Sequence, residues 1–263
     1  MTVSILGCGW YGLELAKALV NKWTKVKGST TSAGKLELLS QQGIEPYLIN
    51  LSTDEPIDTE FFDCDVLWIA IPPRARTGNG EAYLQNLERL IPYIKSHHIK
   101  QVVLISSTGV YGNHNAEVTE LDAPNPDAES GRILLAAEGL LKAESAFTTT
   151  IIRFGGLIGP GRDPGVFFAG KANIPNGEAP VNLIHLTDCI GISCAILDKQ
   201  AFGYTYNAVS PSHPTKAEFY VGAANVRGLL SPQFIEEITD WKVVSSMNVE
   251  KYLGYEFKHQ LSS

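Results

Sequence analysis

The opening residues constrain this chain more than any later segment. Val3-Ser-Ile-Leu-Gly7-Cys8-Gly9-Trp10-Tyr11-Gly12 joins a short apolar run to a Gly-x-Gly-x-x-Gly spacing, and Leu13, Leu15, Ala16, Leu19 and Val20 then follow a helical pattern. That order reads as strand, tight turn and helix. In such a unit the backbone N–H groups at the helix N-terminus can meet a pyrophosphate, and glycines are needed because a Cβ would block the turn, the phosphate or the helix packing. The spacing alone is a weak signal. Its place between a strand and a helix makes Gly7, Cys8, Gly9, Trp10, Tyr11 and Gly12 a dinucleotide site in expectation, rather than a glycine-rich turn without a ligand.

Downstream, apolar runs at 25–29, 46–49, 65–71, 101–106 and 149–154 alternate with helical periods at 35–41, 82–94 and 133–141. The runs Val66–Ile71 and Val102–Ile105 are apolar on both faces. That pattern predicts a parallel sheet covered by helices on each side, and right-handed crossovers make the α/β doubly wound fold its natural form. After Phe154 the texture changes to a Gly/Pro-punctuated stretch, followed by a helical pattern at 186–197, a strand at 204–209 and an amphipathic tail at 218–257. The expected division is a nucleotide-binding domain at 1–154 plus 183–209 and a small C-terminal substrate lobe at 155–182 plus 210–263. The lobe is expected over the carboxyl edge of the sheet, where ligands of such folds lie.

The formal charge is −7, so nothing attracts nucleic acid or an anionic membrane in general, and any bound anion must be captured locally. No apolar run approaches the roughly 18 residues of a spanning helix, and the first apolar segment lacks the basic lead of a secretion signal. A cytoplasmic protein is expected. Cys8, Cys64, Cys189 and Cys194 show no metal-ligand spacing and read as reduced, mostly buried residues, so no metal is assigned. Cys8 differs because helix N-terminal partial charge could favour its thiolate, against the ordinary packing role of a free cysteine.

An NAD site commonly carries an acidic residue about 20 residues past the glycines, at the end of the second strand. Here the segment is Val26-Lys-Gly-Ser-Thr30-Thr31-Ser32 with Lys35 a helical turn further on. No carboxylate is present to repel a 2′-phosphate, and hydroxyls and an ammonium gather where one would sit. NADP is therefore expected in preference to NAD, although Thr31 or Ser32 as a simple helix cap fits the same spacing.

Three later segments carry a family resemblance: Ile105-Ser106-Ser107-Thr-Gly-Val-Tyr111-Gly112, Arg153-Phe-Gly-Gly-Leu-Ile-Gly-Pro-Gly-Arg162, and Val181-Asn-Leu-Ile-His185-Leu-Thr-Asp188. With the glycine turn they resemble the extended short-chain dehydrogenase/reductases, the superfamily that contains nucleotide-sugar epimerases and dehydratases. The resemblance spans nearly the whole chain. It implies an NAD(P)-binding Rossmann fold in which Ala70, Pro72 and Ser106 also line the cofactor, and in which Ser107 hydrogen-bonds the reacting oxygen. It also implies a Tyr-x-x-x-Lys pair on the next helix, where the lysine lowers the phenol's pKa from about 10 so that it can act as acid or base. The chain departs from the pattern there. Aligning Ala137-Glu138 with the Ala-Glu that usually follows puts Ser130 at the tyrosine position and Leu134 at the lysine position. Thr108 and Gly109 also replace the carboxylates that dehydratases carry. The chain thus looks like the atypical extended branch, for which resemblance supports a cofactor more strongly than a reaction.

Among other residues, Tyr111 could replace the lost acid or pack in its turn. His114 could donate a proton or sit in solvent. Arg74 and Arg76 would suit an anionic substrate, as would Arg162, while Arg153 reads as structural at a strand end. Ser130 and Arg132 either line the cleft or, for Ser130, cap the helix. Thr187 or Asp188 is expected to cap the helix after His185. The leading expectation is an NADP-dependent oxidoreductase or epimerase-like enzyme on a small anionic carbonyl or hydroxyl compound. The competing one is a non-catalytic NADP(H)-sensing module, and a nucleotide-sugar epimerase stands third. A homodimer through the helices after the fourth and fifth strands is open, as is burial of those helices within one chain.

Overall fold

The computed structural model describes residues 1–22, 24–53, 55–73 and 80–261. Seven parallel strands form the central sheet: β1 (Thr2–Leu6), β2 (Lys25–Thr30), β3 (Glu45–Leu48), β4 (Val66–Ile69), β5 (Gln101–Ser107), β7 (Thr148–Phe154) and β10 (Thr205–Ala208). Their spatial order is β3-β2-β1-β4-β5-β7-β10, so the winding reverses between β1 and β4. At such a reversal the crossovers leave the sheet on opposite faces and open a crevice at the carboxyl ends. The expected doubly wound sheet is therefore the fold of this chain.

Apolar sequence decides which strands lie inside. All four residues of β4 are buried, as are Val102, Val103 and Leu104 of β5. Helix α1 (Trp10–Val20) packs with α5 (Leu186–Lys199) on one face, around Leu15, Leu19, Trp68, Ile152, Ile192 and Tyr206. Helices α3 (Gly80–Ser96) and α4 (Glu129–Lys142) cover the other. On α3 the buried residues Tyr83, Leu87, Leu90, Ile91 and Ile94 fall on one stripe, each large aliphatic contributing roughly 1.5–3 kcal/mol of burial. Ile133, Leu134, Ala137 and Leu141 of α4 are buried within the chain, against the same cluster. The short α2 (Leu36–Gln41) follows β2.

Two small parallel ladders lie outside the sheet: β6 (Ala116–Val118) with β11 (Lys242–Val244), and β8 (Gly156–Ile158) with β9 (Leu183–His185). A third, separate cluster joins Ile158, Val181, Leu183, Phe219 and Leu261, supplied in part by α6 (Lys216–Val226). The tail departs from expectation. Val244 joins the core around α3 and α4, and Val249 and Leu253, in a π-helical turn at Val249–Leu253, join the core around α1 and α5. Residues 242–257 thus return to the main body instead of staying with the lobe. No helix among the described residues is long and apolar enough to cross a membrane.

Candidate functional site

The glycine turn sits at the carboxyl end of β1, at the reversal of strand order. Gly7 has φ +104°, and a Cβ there would lie 3.0 Å from Ile71 Cγ2. A Cβ on Gly12 would lie 2.2 Å from the Gly7 carbonyl oxygen, so the helix could not approach the strand. Gly9 is different, because nothing lies within 4 Å of where its Cβ would be. Two glycines are demanded by packing and the third keeps a space open. Gly9 occupies the N-cap position of α1 with no side-chain cap, and no acidic residue stands in the first turn. The first N–H groups of a helix lack intrahelical acceptors, and here no side chain caps them while the local field favours an anion. The Gly7 and Cys8 amides are fixed differently, donating to Ser29 Oγ at 2.9 Å and to the Ser29 carbonyl at 2.8 Å.

Ser29 is a residue that the sequence reasoning missed. Its hydroxyl, near the end of β2, holds the turn in place, and the available signal was a small hydroxyl residue next to Gly28 just before Thr30. Gly28 itself backs the turn, since a Cβ there would come within 2.7 Å of Cys8 Sγ. Cys8 is buried, and burial pushes its thiol up to about 12, overriding any help from the helix terminus. Burial thus favours the packing role of Cys8 over the thiolate alternative.

A cavity of about 520 Å³ runs from Gly7 past Ser29, Thr30 and Thr31 to Ile49–Ser52, Ile71–Pro73 and the first turns of α3. It spans the carboxyl ends of β1, β2 and β4, the place where the adenosine half of a dinucleotide fits. The Ser32 N–H donates to Thr30 Oγ1 at 3.2 Å, and Ser32 stands at the N-cap of a 3₁₀ turn over Ala33–Lys35 without a side-chain cap bond. The hydroxyls of Thr31 and Ser32 and the Lys35 ammonium are exposed. Lys35 also lines a cavity of about 240 Å³ with Gly9, Trp10 and Thr30. The residues present thus fit a dinucleotide: an open anion seat, an adenosine cavity and polar groups at its rim.

The β5 end is built otherwise. Ser107 is half-buried and accepts the Gly109 N–H at 3.1 Å, which leaves its own proton free to donate. Ser106 is buried and donates to Glu138 Oε1 at 2.6 Å. Glu138 in turn receives Arg153 through Nε at 3.0 Å and Nη2 at 2.6 Å, a two-point pair with both side chains buried. Arg153 Nη1 donates to the Tyr111 hydroxyl at 2.6 Å, and that hydroxyl lies 2.9 Å from the Thr119 carbonyl and 3.1 Å from Asn207 Oδ1. Tyr111 is 2% exposed, and burial raises its phenol above the ordinary value. This placement argues against Tyr111 as a proton donor and gives it a structural task.

Other expectations need correction. The N-cap of α4 is Ala128, so Ser130 lies inside the first turn, half-buried, rather than at the cap. Arg132 is exposed and pairs with Glu129 at 3.2 Å. The N-cap of α5 is His185 itself, whose Nδ1 accepts the Thr187 N–H at 3.2 Å. Asp188 is fully buried and instead anchors the tail, accepting Tyr255 Oη, the Lys258 N–H and the His259 N–H at 2.8, 2.7 and 3.1 Å. His114 Nε2 lies 2.9 Å from the Asn125 carbonyl. Pro72 lines the cavity of about 520 Å³, and Ala70 follows β4, its N–H donating to the Leu6 carbonyl. Arg74 and Arg76 lie outside the described residues. Arg162 lies on the lobe with its guanidinium over the Trp10 ring. Among the described residues no cluster of three or more His, Cys, Asp or Glu could hold a metal.

Comparison with known proteins agrees with the turn. Protein YeeZ of Escherichia coli (strain K12) is 35% identical, over 98% of this chain and 96% of its own length. The structure of a functionally unknown conserved protein from Silicibacter pomeroyi superposes with TM-score 0.81 at 23% identity, over 98% of this chain and 94% of that one. UDP-glucuronic acid 4-epimerase from Bacillus cereus, solved in complex with NAD, superposes with TM-score 0.79 at 18% identity, over 99% and 95%. The NAD(P)H-binding family matches residues 7–181, more than half of the chain. The chain belongs to the NAD(P)H-binding family, with the fold of the NAD-dependent epimerases and short-chain dehydrogenases.

Proposed function

We propose that this protein is a cytoplasmic NADP-dependent oxidoreductase or epimerase-like enzyme acting on a small anionic carbonyl or hydroxyl compound. The observation that carries the reading is the Ser107 hydroxyl, half-buried at the carboxyl end of a central strand with its proton uncommitted. The α1 N-terminus and the Gly7–Gly12 turn would hold the diphosphate, the cavity beside Thr30 and Thr31 the adenosine, and Thr31, Ser32 and Lys35 the 2′-phosphate. When bound, the nicotinamide supplies or accepts the hydride. Ser107 orients and polarises the reacting oxygen. Water serves as the proton source, because Tyr111 is held by Arg153, Asn207 and Thr119 and because Ser130 and Leu134 stand where the resemblance puts tyrosine and lysine. Lack of a positioned acid lowers turnover by roughly 10²- to 10⁴-fold without abolishing it.

One observation favours the second reading, a non-catalytic NADP(H) sensor: Leu134 is buried apolar packing and the nearby polar groups are bonded to one another. The experiment that separates them uses purified protein with NADP, NAD and a panel of small carbonyl acids and nucleotide-sugars. Binding raises the melting temperature in proportion to RT ln(1 + [L]/Kd), so NADP should raise it more than NAD at equal concentration. Oxidation of NADPH by one of the carbonyl acids, reduced about 10²-fold in Ser107→Ala with cofactor affinity unchanged, supports the enzyme. NADP(H) binding with neither net oxidation or reduction of the cofactor nor epimerisation of any panel compound, read by product analysis, leaves the sensor.

A further inference from the structure

The small lobe reaches back onto the first residue of the cofactor helix. After β8 the chain makes a tight hairpin in which the Gly159 N–H donates to the Arg162 carbonyl at 3.1 Å and the Arg162 N–H to the Gly159 carbonyl at 2.8 Å. The Pro160 carbonyl accepts Trp10 Nε1–H at 2.6 Å. The Arg162 guanidinium carbon lies 4.5 Å from the centroid of the same indole. Trp10 directly follows Gly9, the residue that keeps the anion seat open. The hairpin therefore fixes a guanidinium beside the turn, on a planar platform that restricts its orientation.

The charge of that guanidinium is uncompensated locally. Asp163 is its sequence neighbour, but Asp163 Oδ2 pairs with Arg227 at 2.8 Å and Oδ1 accepts the Gly165 N–H at 2.9 Å. Among the described residues no carboxylate pairs with Arg162, and the first turn of α1 carries none. An exposed arginine stacked on an indole keeps its planar fork of donors available, the geometry that suits phosphate oxygens.

We infer that Arg162 is a diphosphate-binding residue, adding a side-chain cation to the backbone donors at the start of α1, with Trp10 as its positioning platform. The inference rests on the dinucleotide reading of the turn. It assigns Arg162 to the cofactor in place of the substrate, and it makes the lobe a participant in cofactor binding.

The test is a titration of NADPH, NADH and adenosine 2′-monophosphate, without substrate, into the wild type, Arg162→Ala, Arg162→Lys and Lys35→Ala. Arg162→Ala should weaken NADPH and NADH by the same factor, about tenfold, through loss of a charge-assisted pair. Arg162→Lys should recover part of that loss. Adenosine 2′-monophosphate, which has no diphosphate, should bind Arg162→Ala as it binds the wild type, which also shows that the variant is folded. Lys35→Ala should weaken NADPH and the monophosphate and spare NADH. Arg162→Ala binding both dinucleotides within twofold of the wild type overturns the assignment, even if turnover falls, because Arg162 then acts on the substrate. Failure of the wild type to bind either dinucleotide sinks the cofactor reading as well.

Discussion

The glycine turn and the β5 end lie on the same edge of one sheet, and they treat polar groups in opposite ways. At the turn, the start of α1 has no side-chain cap, Gly9 faces open space, and the hydroxyls of Thr31 and Ser32 are exposed. At the β5 end, Ser106, Glu138, Arg153, Tyr111 and Asn207 form one closed, buried chain of hydrogen bonds. A group left without a protein partner is ready for a ligand, whereas a group whose bonds are all made inside the protein specifies packing. The difference teaches that binding and chemistry can separate within a single fold. The half proposed to capture a dinucleotide is open, whereas Tyr111 and its neighbours are committed to packing, and Ser107 stands half-buried between the two with its proton uncommitted.

Breaking the closed side should have the largest effect. Arg153→Ala leaves the Glu138 carboxylate buried without its cation, and removal of one partner of a buried pair costs about 3–5 kcal/mol. Chemical denaturation should register that loss, while the protein that remains folded should bind NADPH with unchanged affinity. A variant that keeps its stability would show the cluster to be open to solvent, and one that loses cofactor at full stability would place the cluster in the binding site.

The reverse dissociation comes from Gly9→Val. Its backbone, φ −85° and ψ −153°, is extended, and no protein atom lies where the new side chain would start, so the ligand-free protein should lose less than about 1 kcal/mol. The isopropyl group fills the anion seat instead, and overpacking of 1–3 kcal/mol translates into roughly tenfold or more weaker binding of both NADPH and NADH. Equal dinucleotide affinity in the variant would mean that the space before Gly9 is not the diphosphate seat.

The contrast also explains what was legible in the sequence. A parallel sheet covered on both faces follows from runs such as Val66–Ile69, which bury every residue, and the turn follows from glycines whose spacing reports a local steric demand. Local patterns carry local physics. The fate of Tyr111 depends on Arg153, 42 positions away, and on Asn207, 96 positions away, and no periodicity announces those partners. Ser130 has the right chemistry for a cap, yet α4 starts after Ala128, because the path of the chain and not capping preference sets that start. Asp188 likewise reads from sequence as a candidate cap, and only the returning tail reveals it as an anchor for Tyr255, Lys258 and His259. The tail was misplaced for the same reason: Val249 and Leu253 are too few to signal which core they enter.

A smaller effect sharpens the open side. Lys35 is exposed, so its attraction to a 2′-phosphate is screened, and exposed pairs are worth about 0.2–1 kcal/mol. Lys35→Ala should weaken NADPH by about fivefold at most in low salt, with no change for NADH, as read by fluorescence titration. An equal loss for both cofactors would move Lys35 away from the ribose and toward the diphosphate.

The smallest expected effect concerns the start of α5, where a polar group is satisfied in only one protonation state. His185 Nδ1 accepts the Thr187 N–H at the start of α5, and its ring stacks on His259 at 4.0 Å. An imidazolium has no lone pair for that bond. Burial, reinforced by His259 and opposed by Asp188, holds His185 below its ordinary value of 6.5. The unfolded chain therefore takes up the proton first as pH falls. The contribution of His185 to stability is complete above about pH 6.5 and is lost as pH drops below that value through the folded-state pKa. His185→Asn keeps an acceptor at the cap and cannot titrate, so its melting temperature should fall less than that of the wild type across this window. Parallel curves for the two proteins would show that the ring is already free of Thr187. A wild-type curve that rises relative to the variant on acidification would instead reveal a protonated His185 held by Asp188, turning the start of α5 from a closed contact into a site that favours charge.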